Sequence, residues 1–350
     1  MRFGMLHLFE SPEGRSEAQM IDEQLSLMEA AEEYGFDSLW PAEHHFTEYG
    51  VCGSPALNLA AIARTTRKIR LGTGVCVLPL HNPIRVAEDF AMLDQMSGGR
   101  VDFGVGRGYQ PIEFQGFGVD QTRSAKIFDE SLEIIRRAWT EEKLNFEGEF
   151  FQFKDLEIRP RPLQDPHPPI WMAALSQQTF EKAGRLGFNL LLSPVFGGSL
   201  QAARDNIQRY RQALADNGFD PASRQVGALT MMFAGKSHEE ARSQFAEPVI
   251  WYFRTFGKFV APKVGQPPIQ GYEWYTDIRD LASVVEWETL IEHGAVICGE
   301  TPYVIERLQE MKEMTGIDHL LGWTRLGGLS DDLVTSHMEL MRDEIMPALR

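Results

Sequence analysis

Two adjacent histidines follow an acidic residue in the stretch Trp40-Pro-Ala-Glu-His-His-Phe-Thr-Glu-Tyr49. The unperturbed pKa of histidine lies near neutrality, so His44 or His45 could donate or accept a proton at working pH. The apolar run before them, residues 36–40, predicts a buried strand, and barrel enzymes carry their catalytic groups where strands end. One alternative stays open at this point: one imidazole satisfies a hydrogen bond in the core and the other is solvated.

Two glycine-rich stretches also form the ends of predicted strands. In Gly72-Thr-Gly-Val-Cys-Val-Leu-Pro79, two glycines weaken the strand unless something must approach its backbone closely. A flat ring on this backbone would explain them, and so would a tightly packed barrel layer. The stretch Phe103-Gly-Val-Gly-Arg-Gly-Tyr109 lacks the spacing and the prompt helix of a dinucleotide fingerprint. In it, Arg107 could bind phosphate with its guanidinium fork or form a structural ion pair.

Two hydroxyl side chains stand three residues apart in Trp171-Met-Ala-Ala-Leu-Ser-Gln-Gln-Thr-Phe180. If a helix begins there, Ser176 and Thr179 lie in its first turn, where backbone amides have no partner within the helix. Hydroxyls and free amides together favour an anion site. N-capping by Ser176 is the alternative, but it leaves Thr179 unexplained. A candidate phosphate site, a backbone that a flat ring could approach and a histidine, all at one rim of the barrel, together indicate a mononucleotide cofactor, most naturally a flavin.

The composition excludes several classes of protein. With 350 residues and a 43% hydrophobic fraction, the chain could form two average domains or one large barrel. It has no run of about 18 uncharged apolar residues, and its N-terminus is typical of a strand rather than a signal peptide. A net charge of −16 disfavours general binding to nucleic acid or to an anionic membrane. Cys52, Cys76 and Cys298 lack metal-ligand spacing and are typical of reduced thiols in a cytoplasmic protein.

Segments typical of strands and of helices alternate along the chain. Short apolar runs predict strands at residues 2–9, 37–42, 69–78, 101–105, 169–174, 189–193, 226–233 and 316–323. Helical patterns occupy residues 17–34, 55–66, 83–96, 122–140, 177–186, 200–217 and 331–349, and another begins at residue 239 after a capping Ser237. These units predict an α/β fold, a single (β/α)8 TIM barrel spanning residues 1–350, rather than two doubly wound domains.

Two stretches break this alternation. Residues 144–163 are rich in Phe and Pro and predict a short antiparallel excursion. Residues 251–295 are rich in aromatic residues, Gly and Pro, and this stretch is too long for an ordinary loop. We interpret it as a lid-like insertion, with an oligomer contact or a packed surface excursion as alternatives. The aromatic residues that such a lid would present are Trp251, Tyr252, Phe253 and Phe256.

The motifs together resemble the bacterial luciferase-like flavin-dependent monooxygenases along the whole chain. The matching stretches are Glu43-His-His-Phe-Thr-Glu48, Gly72-Thr-Gly74, Val77-Leu-Pro79, Pro83, Ala87-Glu-Asp89, Leu93-Asp-Gln-Met-Ser-Gly-Gly-Arg100, Gly106-Arg-Gly-Tyr109, Thr315-Gly-Ile-Asp318 and Met346-Pro347. Matches this numerous and in one order support the family better than any single motif does.

The resemblance implies a (β/α)8 barrel that binds reduced FMN (FMNH2), delivered by a separate flavin reductase. In this family the reduced flavin reacts with molecular oxygen at C4a. The C4a-peroxyflavin then puts one oxygen atom into a small organic substrate, and the other leaves as water. Oligomers are common in the family, and we expect a homodimer.

The resemblance also implies roles for individual residues. His44 matches the catalytic histidine, and the Gly74–Val75 peptide matches the place where members carry a non-prolyl cis bond beneath the flavin ring. Arg107, Ser176 and Thr179 match phosphate-binding positions. The residues predicted to contact the cofactor are Gly74, Val75, Arg107, Gly108, Tyr109, Leu175, Ser176 and Thr179. We expect residues 195–199, Met231, Met232 and the insertion to shape the substrate pocket.

The chain departs from the light-emitting α subunits at three positions. They carry a reactive cysteine where this chain has Gly106, and an acidic residue where it has Leu175. A further arginine near the phosphate is replaced by Ala125, with Arg123 and Lys126 close by. These differences argue against light emission and against a long-chain aldehyde substrate.

Two alternatives to the monooxygenase remain open. Some relatives bind the deazaflavin F420 and transfer a hydride without oxygen, although its acidic tail suits a chain of net charge −16 less well. The other alternative is a non-catalytic partner subunit of a heterodimer. The presence of His44 argues against it, because the luciferase β subunit lacks this histidine.

Overall fold

A computed structural model describes residues 1–12, 14, 16–194, 199–260, 272, 286–292 and 294–350. Within them the strands are β1 (Arg2–His7), β2 (Ser38–Pro41), β3 (Arg70–Gly72), β4 (Cys76–Val77), β5 (Val101–Gly106), β6 (Leu144–Glu147), β7 (Gln152–Leu156), β8 (Ile170–Ala174), β9 (Asn189–Leu192), β10 (Val226–Gly235), β11 (Val296–Glu300) and β12 (His319–Trp323). The α-helices are α1 (Glu17–Ala30), α2 (Pro55–Thr65), α3 (Pro83–Ser97), α4 (Pro111–Gly116), α5 (Ser124–Thr140), α6 (Gln177–Arg185), α7 (Leu200–Asp216), α8 (His238–Val260), α9 (Trp287–Glu292), α10 (Thr301–Thr315), α11 (Asp331–Leu340) and α12 (Met346–Leu349).

Parallel strands close into the predicted barrel. Around the ring the strands follow the order β1, β2, β3, β5, β8, β9, β10 and β12, and β12 pairs with β1. Helices between them cover the outside, as a parallel sheet requires. The (β/α)8 TIM barrel is therefore confirmed. Because these strands are parallel, their carboxyl ends all lie at one rim.

Aromatic rings fill part of the barrel interior. Trp40, Trp171 and His319 pack edge to face with ring centroids between 5.3 and 5.8 Å apart. Trp40 leaves no space above β3, because a Cβ on Gly72 would lie 2.4 Å from its indole ring. Close packing therefore explains the glycine at position 72, which was one of the two interpretations that the sequence left open.

The predicted strand 69–78 is two short strands. Residues 73–75 separate β3 from β4, and the backbone of Gly74 and Val75 bonds to the end of β2 and to Glu43 after it. The N–H of Gly74 donates to the carbonyl of Pro41 (3.0 Å), and the N–H of Glu43 donates to that of Val75 (3.3 Å). The chain therefore bends over the mouth of the barrel next to the two histidines.

The lid interpretation of residues 251–260 is wrong. They form the last part of α8, which packs on β10 and β11. Tyr252, Phe253 and Phe256 are at most 2% exposed, so they belong to the core. Residues 261–271 and 273–285 of the predicted insertion lie outside the described residues. Beyond them, β11 and α10 were not predicted; β11 pairs with residues 231–235 of β10.

Other local predictions agree with the structure, with one exception. The excursion is an antiparallel hairpin of β6 and β7, and Ser237 accepts the N–H of Glu240 (3.2 Å) at the start of α8. The last helix is interrupted, because a π-helical turn, Met341–Ile345, joins α11 to α12. All three cysteines are buried free thiols. Among the described helices, none combines the length and the apolar character needed to cross a membrane.

Candidate active site

His44 follows the end of β2, and side chains from the segment after β5 hold its ring. Its Nδ1 lies 2.9 Å from Oε1 of Glu113, and its Nε2 lies 3.3 Å from the hydroxyl of Tyr109. His44 is 6% exposed and Glu113 is 1% exposed, so bulk water does not compete for these bonds. A carboxylate beside Nδ1 favours a proton on that nitrogen, which leaves Nε2 to exchange a proton with its surroundings.

Glu113 was not singled out from the sequence. It lies on the short helix α4, and the same Oε1 that meets His44 also accepts the backbone N–H of His45 (3.0 Å). Its second oxygen, Oε2, is buried without a hydrogen-bond partner in the described part of the chain. The available signal was a lone carboxylate between apolar neighbours, directly after the glycine-rich loop, in a helix that Pro111 begins.

His45 meets a different buried carboxylate. Oε1 of Glu43 lies 3.0 Å from Nε2 of His45 and 2.6 Å from Nε2 of His81, and Oε2 accepts the N–H of Val77 (2.8 Å). Burial raises the pKa of Glu43, but these hydrogen bonds outweigh it and lower that pKa to about 2. Both adjacent histidines are therefore buried against carboxylates, and the alternative with one solvated imidazole does not hold.

The peptide between Gly74 and Val75 is cis. This is the position at which the resemblance implies such a bond. Val75 also covers the end of β5, because a Cβ on Gly106 would lie 2.5 Å from Cγ2 of Val75. Residues 74 and 75 thus form a shelf between the histidine loop and the glycine-rich loop.

The glycine-rich loop carries Arg107 and is held by Tyr272. The guanidinium of Arg107 lies over the Tyr272 ring, 4.2 Å from its centroid, which is a cation–π contact. The Tyr272 hydroxyl donates to the carbonyl of Gly108 (3.0 Å). Gly108 has a φ of +77°, and a Cβ there would lie 2.5 Å from Cγ1 of Val77, so the position requires glycine.

Ser176 is the N-cap residue of α6, but its side chain caps no amide. Its Oγ lies 2.9 Å from Oγ1 of Thr179 instead. Ser176 is exposed and Thr179 half-buried, and Leu175 beside them is 43% exposed. N-capping therefore does not account for the two hydroxyls. Together with the amides of the first turn and the positive end of the helix dipole, they suit a phosphate group.

A hydroxyl without a partner lies at the end of the next strand. Ser193 follows β9 and is 9% exposed, and its Oγ has no hydrogen-bond partner among the described residues. It lines a small cavity together with Leu175 and Asn206. A ligand oxygen would satisfy this hydroxyl, so the donor set at this rim fits a phosphorylated cofactor. Ser193 and Asn206 were not predicted, since neither stands in a recognisable motif.

Strand pairing brings the predicted site residues to one rim. His44, the Gly74–Val75 peptide, Arg107 and Ser176 follow the carboxyl ends of neighbouring strands β2, β3, β5 and β8. The ends are level, because Cys76 pairs with Val105 and Val105 pairs with Met172. An arrangement with Ser176 and Thr179 at the end of the barrel opposite His44 is excluded.

Other positions singled out in the sequence lie elsewhere. Arg123 and Lys126 stand on either side of Ala125, the position at which the light-emitting α subunits carry an arginine. Both pair with the exposed Glu149. Of the residues expected to shape the substrate pocket, Met231 and Met232 are 0% exposed within β10. Residues 195–198 lie outside the described part of the chain.

Comparison with known proteins agrees with this geometry. Residues 1–319 match the family described as luciferase-like monooxygenase. The chain is 31% identical to the alkanal monooxygenase alpha chain of Photorhabdus laumondii, over 100% of this chain and 98% of the relative. It is 28% identical to the oxygenase component of the flavin-dependent trigonelline monooxygenase of Acinetobacter baylyi, over 99% of this chain and 95% of the relative.

Solved structures share the fold over the full length. The monooxygenase RslO1 of Streptomyces bottropensis superposes with a TM-score of 0.89 at 27% identity and covers 100% of both chains. A second neighbour is the oxygenating constituent of 3,6-diketocamphane monooxygenase from Pseudomonas putida, in complex with FMN. It superposes with a TM-score of 0.79 at 23% identity, and the match covers 99% of this chain and 98% of the neighbour. An F420-dependent secondary alcohol dehydrogenase also superposes with a TM-score of 0.79, at 19% identity. The match covers 100% of this chain and 99% of the neighbour. The chain is an enzyme that belongs to the luciferase-like monooxygenase family.

Proposed function

We propose that this protein is an FMNH2-dependent monooxygenase. It would put one oxygen atom of O2 into a small organic substrate by way of the C4a-peroxyflavin that is typical of the family. The observation that carries the proposal is the shared rim of His44, the Gly74–Val75 shelf and the hydroxyl-bearing start of α6. Similarity to an oxygenase component of a flavin-dependent monooxygenase supports it.

The residues present fit FMN. Ser176, Thr179 and the amides of the first turn of α6 would bind its phosphate, with Arg107 supplying positive charge. The isoalloxazine ring would lie on the Gly74–Val75 shelf. Gly108, Tyr109 and Leu175 would make the remaining contacts with FMN. When bound, the reduced flavin supplies the electrons that activate oxygen.

His44 would act as general acid and base. Glu113 orients its ring and favours a proton on Nδ1, so that Nε2 can move a proton at the reacting centre. The burial of His44 and Glu113 keeps water away from this position. Exclusion of water matters in oxygen activation, because a reactive oxygen adduct that meets water decays without oxidising the substrate.

The partners follow from the same proposal. An oxygenase that uses reduced flavin needs a separate flavin reductase, and the similarity to an oxygenase component supports this requirement. We also propose a homodimer, as the family resemblance implies, working in the cytoplasm.

F420-dependent hydride transfer is the second candidate. A structural neighbour with the same barrel binds F420, and its fold gives a TM-score equal to that of the neighbour in complex with FMN. The two cofactors differ in their tails, because F420 carries a longer acidic chain beyond the phosphate. Anaerobic titrations with FMNH2 and with reduced F420 separate them, since only the true cofactor should bind tightly and saturably.

Replacement of both hydroxyls in Ser176→Ala/Thr179→Ala is expected to weaken FMN binding about 10- to 100-fold, because each hydroxyl would donate to a charged phosphate. The measurement is fluorescence titration with FMN and, in parallel, with riboflavin, which has the same ring but no phosphate. Riboflavin affinity should be unchanged.

The matched control is Ser237→Ala, which removes a helix-capping hydroxyl at the same rim, after β10 and two strands away from β8. It should leave FMN affinity unchanged. An equal loss for FMN and riboflavin, or no loss for either, would show that α6 does not bind the phosphate.

A further inference from the structure

Glu43 connects the histidine loop to the Gly74–Val75 shelf and to β4 by two hydrogen bonds. Its backbone N–H donates to the carbonyl of Val75 (3.3 Å), and Oε2 of its carboxylate accepts the N–H of Val77 (2.8 Å). The next residue in the chain is His44. One residue therefore fixes the backbone of the shelf and also begins the segment that carries the proposed acid and base.

Two histidines hold the carboxylate of Glu43. Its Oε1 lies 3.0 Å from Nε2 of His45 and 2.6 Å from Nε2 of His81. Burial raises the pKa of Glu43, but its hydrogen bonds outweigh burial and lower the pKa to about 2, so the group is ionised at neutral pH. An ionised carboxylate has no proton to donate, so both Nε2 atoms must donate to it.

The three donors to this carboxylate come from three segments. His45 belongs to the histidine loop, Val77 to β4, and His81 to the chain after the short turn Leu78–Leu80. Val77 also pairs with Gly106 at the end of β5. Because an unpaired buried donor is costly, a buried carboxylate shared by three segments leaves little freedom in the spacing between them.

The side chain of Glu43 is 0% exposed. A flavin ring on the shelf would therefore contact the backbone of Gly74 and Val75 and not the carboxylate of Glu43. Any influence of Glu43 on the cofactor must pass through the hydrogen bonds to Val75 and Val77.

We propose that Glu43, held by His81, is a positioning residue that sets the height of the flavin shelf and its distance from His44. The inference rests on the proposed FMN site. Without the carboxylate, the N–H of Val77 and the Nε2–H of His45 lose their acceptor, and the shelf moves relative to His44. A ring bound on the shelf moves with it.

Two variants weaken this connection to different extents. Glu43→Leu removes the carboxylate, keeps a side chain of similar size and leaves buried donors unpaired. His81→Leu removes only the shortest hydrogen bond of Glu43, and the side chain of His81 is 29% exposed, so the fold tolerates its loss better. If Glu43→Leu does not fold, His81→Leu decides alone.

Asp94→Leu is the matched control. Asp94 is 0% exposed, and its Oδ2 accepts the backbone N–H groups of Leu163 (2.8 Å) and Gln164 (2.9 Å). The side chain of Gln164 donates to the carbonyl of Val101 at the amino end of β5, so this carboxylate lies at the rim opposite the shelf. The control thus also removes a buried carboxylate that accepts backbone amides, but away from the proposed ring site.

The test measures the binding of riboflavin and of FMN to the full-length protein, at a temperature at which each variant is folded. We expect both flavins to bind about tenfold more weakly in Glu43→Leu and about threefold more weakly in His81→Leu, because the shelf contacts the ring and not the phosphate. The visible circular dichroism of FMN at saturation should also change, since it depends on how the protein surrounds the ring. Asp94→Leu should match the unmodified protein in both measurements.

Unchanged riboflavin affinity and unchanged circular dichroism in the folded Glu43 and His81 variants would overturn the positioning role. An equal loss in Asp94→Leu would overturn it too, because the effect would then be one of general stability. If the positioning role fails in this way while His44→Gln loses turnover with reduced FMN, the proposed function stands. If the unmodified protein binds neither flavin saturably, the proposed function and the positioning role are both wrong.

Discussion

His44→Gln is expected to lower turnover with reduced FMN about 10²–10⁴-fold, the usual contribution of a general acid or base. Glutamine approximates the size of the imidazole and can still hydrogen-bond to Glu113, but it cannot take up or release a proton at neutral pH. FMN affinity should stay unchanged, because the proposed phosphate contacts lie after β5 and β8 and not in the histidine loop. The measurement is substrate oxidation with a supplied flavin reductase, together with hydrogen peroxide release.

A histidine outside the site provides the control for this variant. His238 begins α8 and its side chain is 54% exposed beside Glu300. His238→Gln should keep the turnover of the unmodified protein. Equal turnover in His44→Gln and His238→Gln would remove His44 from the chemistry, although the family assignment would remain.

Arg100→Leu is expected to lower the free energy of unfolding by about 3–5 kcal/mol, because several buried acceptors lose their donor at once. Arg100 is 8% exposed. Its guanidinium donates to the carbonyls of Ser97 (2.7 Å), Ile69 (2.8 Å), Ala63 (3.0 Å) and Thr66 (3.3 Å), and to the Thr66 hydroxyl (3.0 Å). Urea unfolding at neutral pH measures the change.

The comparison for this variant is a surface arginine. The side chain of Arg85 is 70% exposed and pairs with Glu88 within α3, and such pairs contribute about 0.5 kcal/mol. Arg85→Leu should therefore leave the unfolding midpoint nearly unchanged. A loss for Arg100→Leu as small as that for Arg85→Leu would contradict the structural role of Arg100.

The position of Arg100 also explains why a family motif need not be catalytic. The residue precedes β5 and bonds to the carbonyl of Ile69, just before β3, so it lies at the amino ends of the strands. His44 lies at the carboxyl ends. The stretch Leu93-Asp-Gln-Met-Ser-Gly-Gly-Arg100 therefore ties the helices to the barrel at the rim opposite the active site.

Local patterns predicted the barrel and one part of the site. Short apolar runs located the barrel strands, and parallel strands that end at one rim placed His44 near Arg107 and Ser176. The hydroxyls of Ser176 and Thr179 were found because both lie within one helical turn. Each of these inferences needs only residues that are close together in the chain.

Contacts between distant segments were not predicted. Glu113 is 69 residues from His44, and His81 is 38 residues from Glu43. Periodicity reports which face of an element is buried but not which side chain it meets there. The end of α8 was misread because residues 251–295 were interpreted together from their content of aromatic residues, Gly and Pro. Burial on the barrel holds residues 251–260 in a helix.

A crystal structure of the protein with FMN tests the central proposal most directly. We expect the phosphate within hydrogen-bonding distance of the Ser176 and Thr179 hydroxyls and close to Arg107. The ring should lie on the Gly74–Val75 peptide, with the imidazole of His44 facing it. A flavin bound with its phosphate away from the start of α6, or with its ring out of reach of His44, would contradict the proposal.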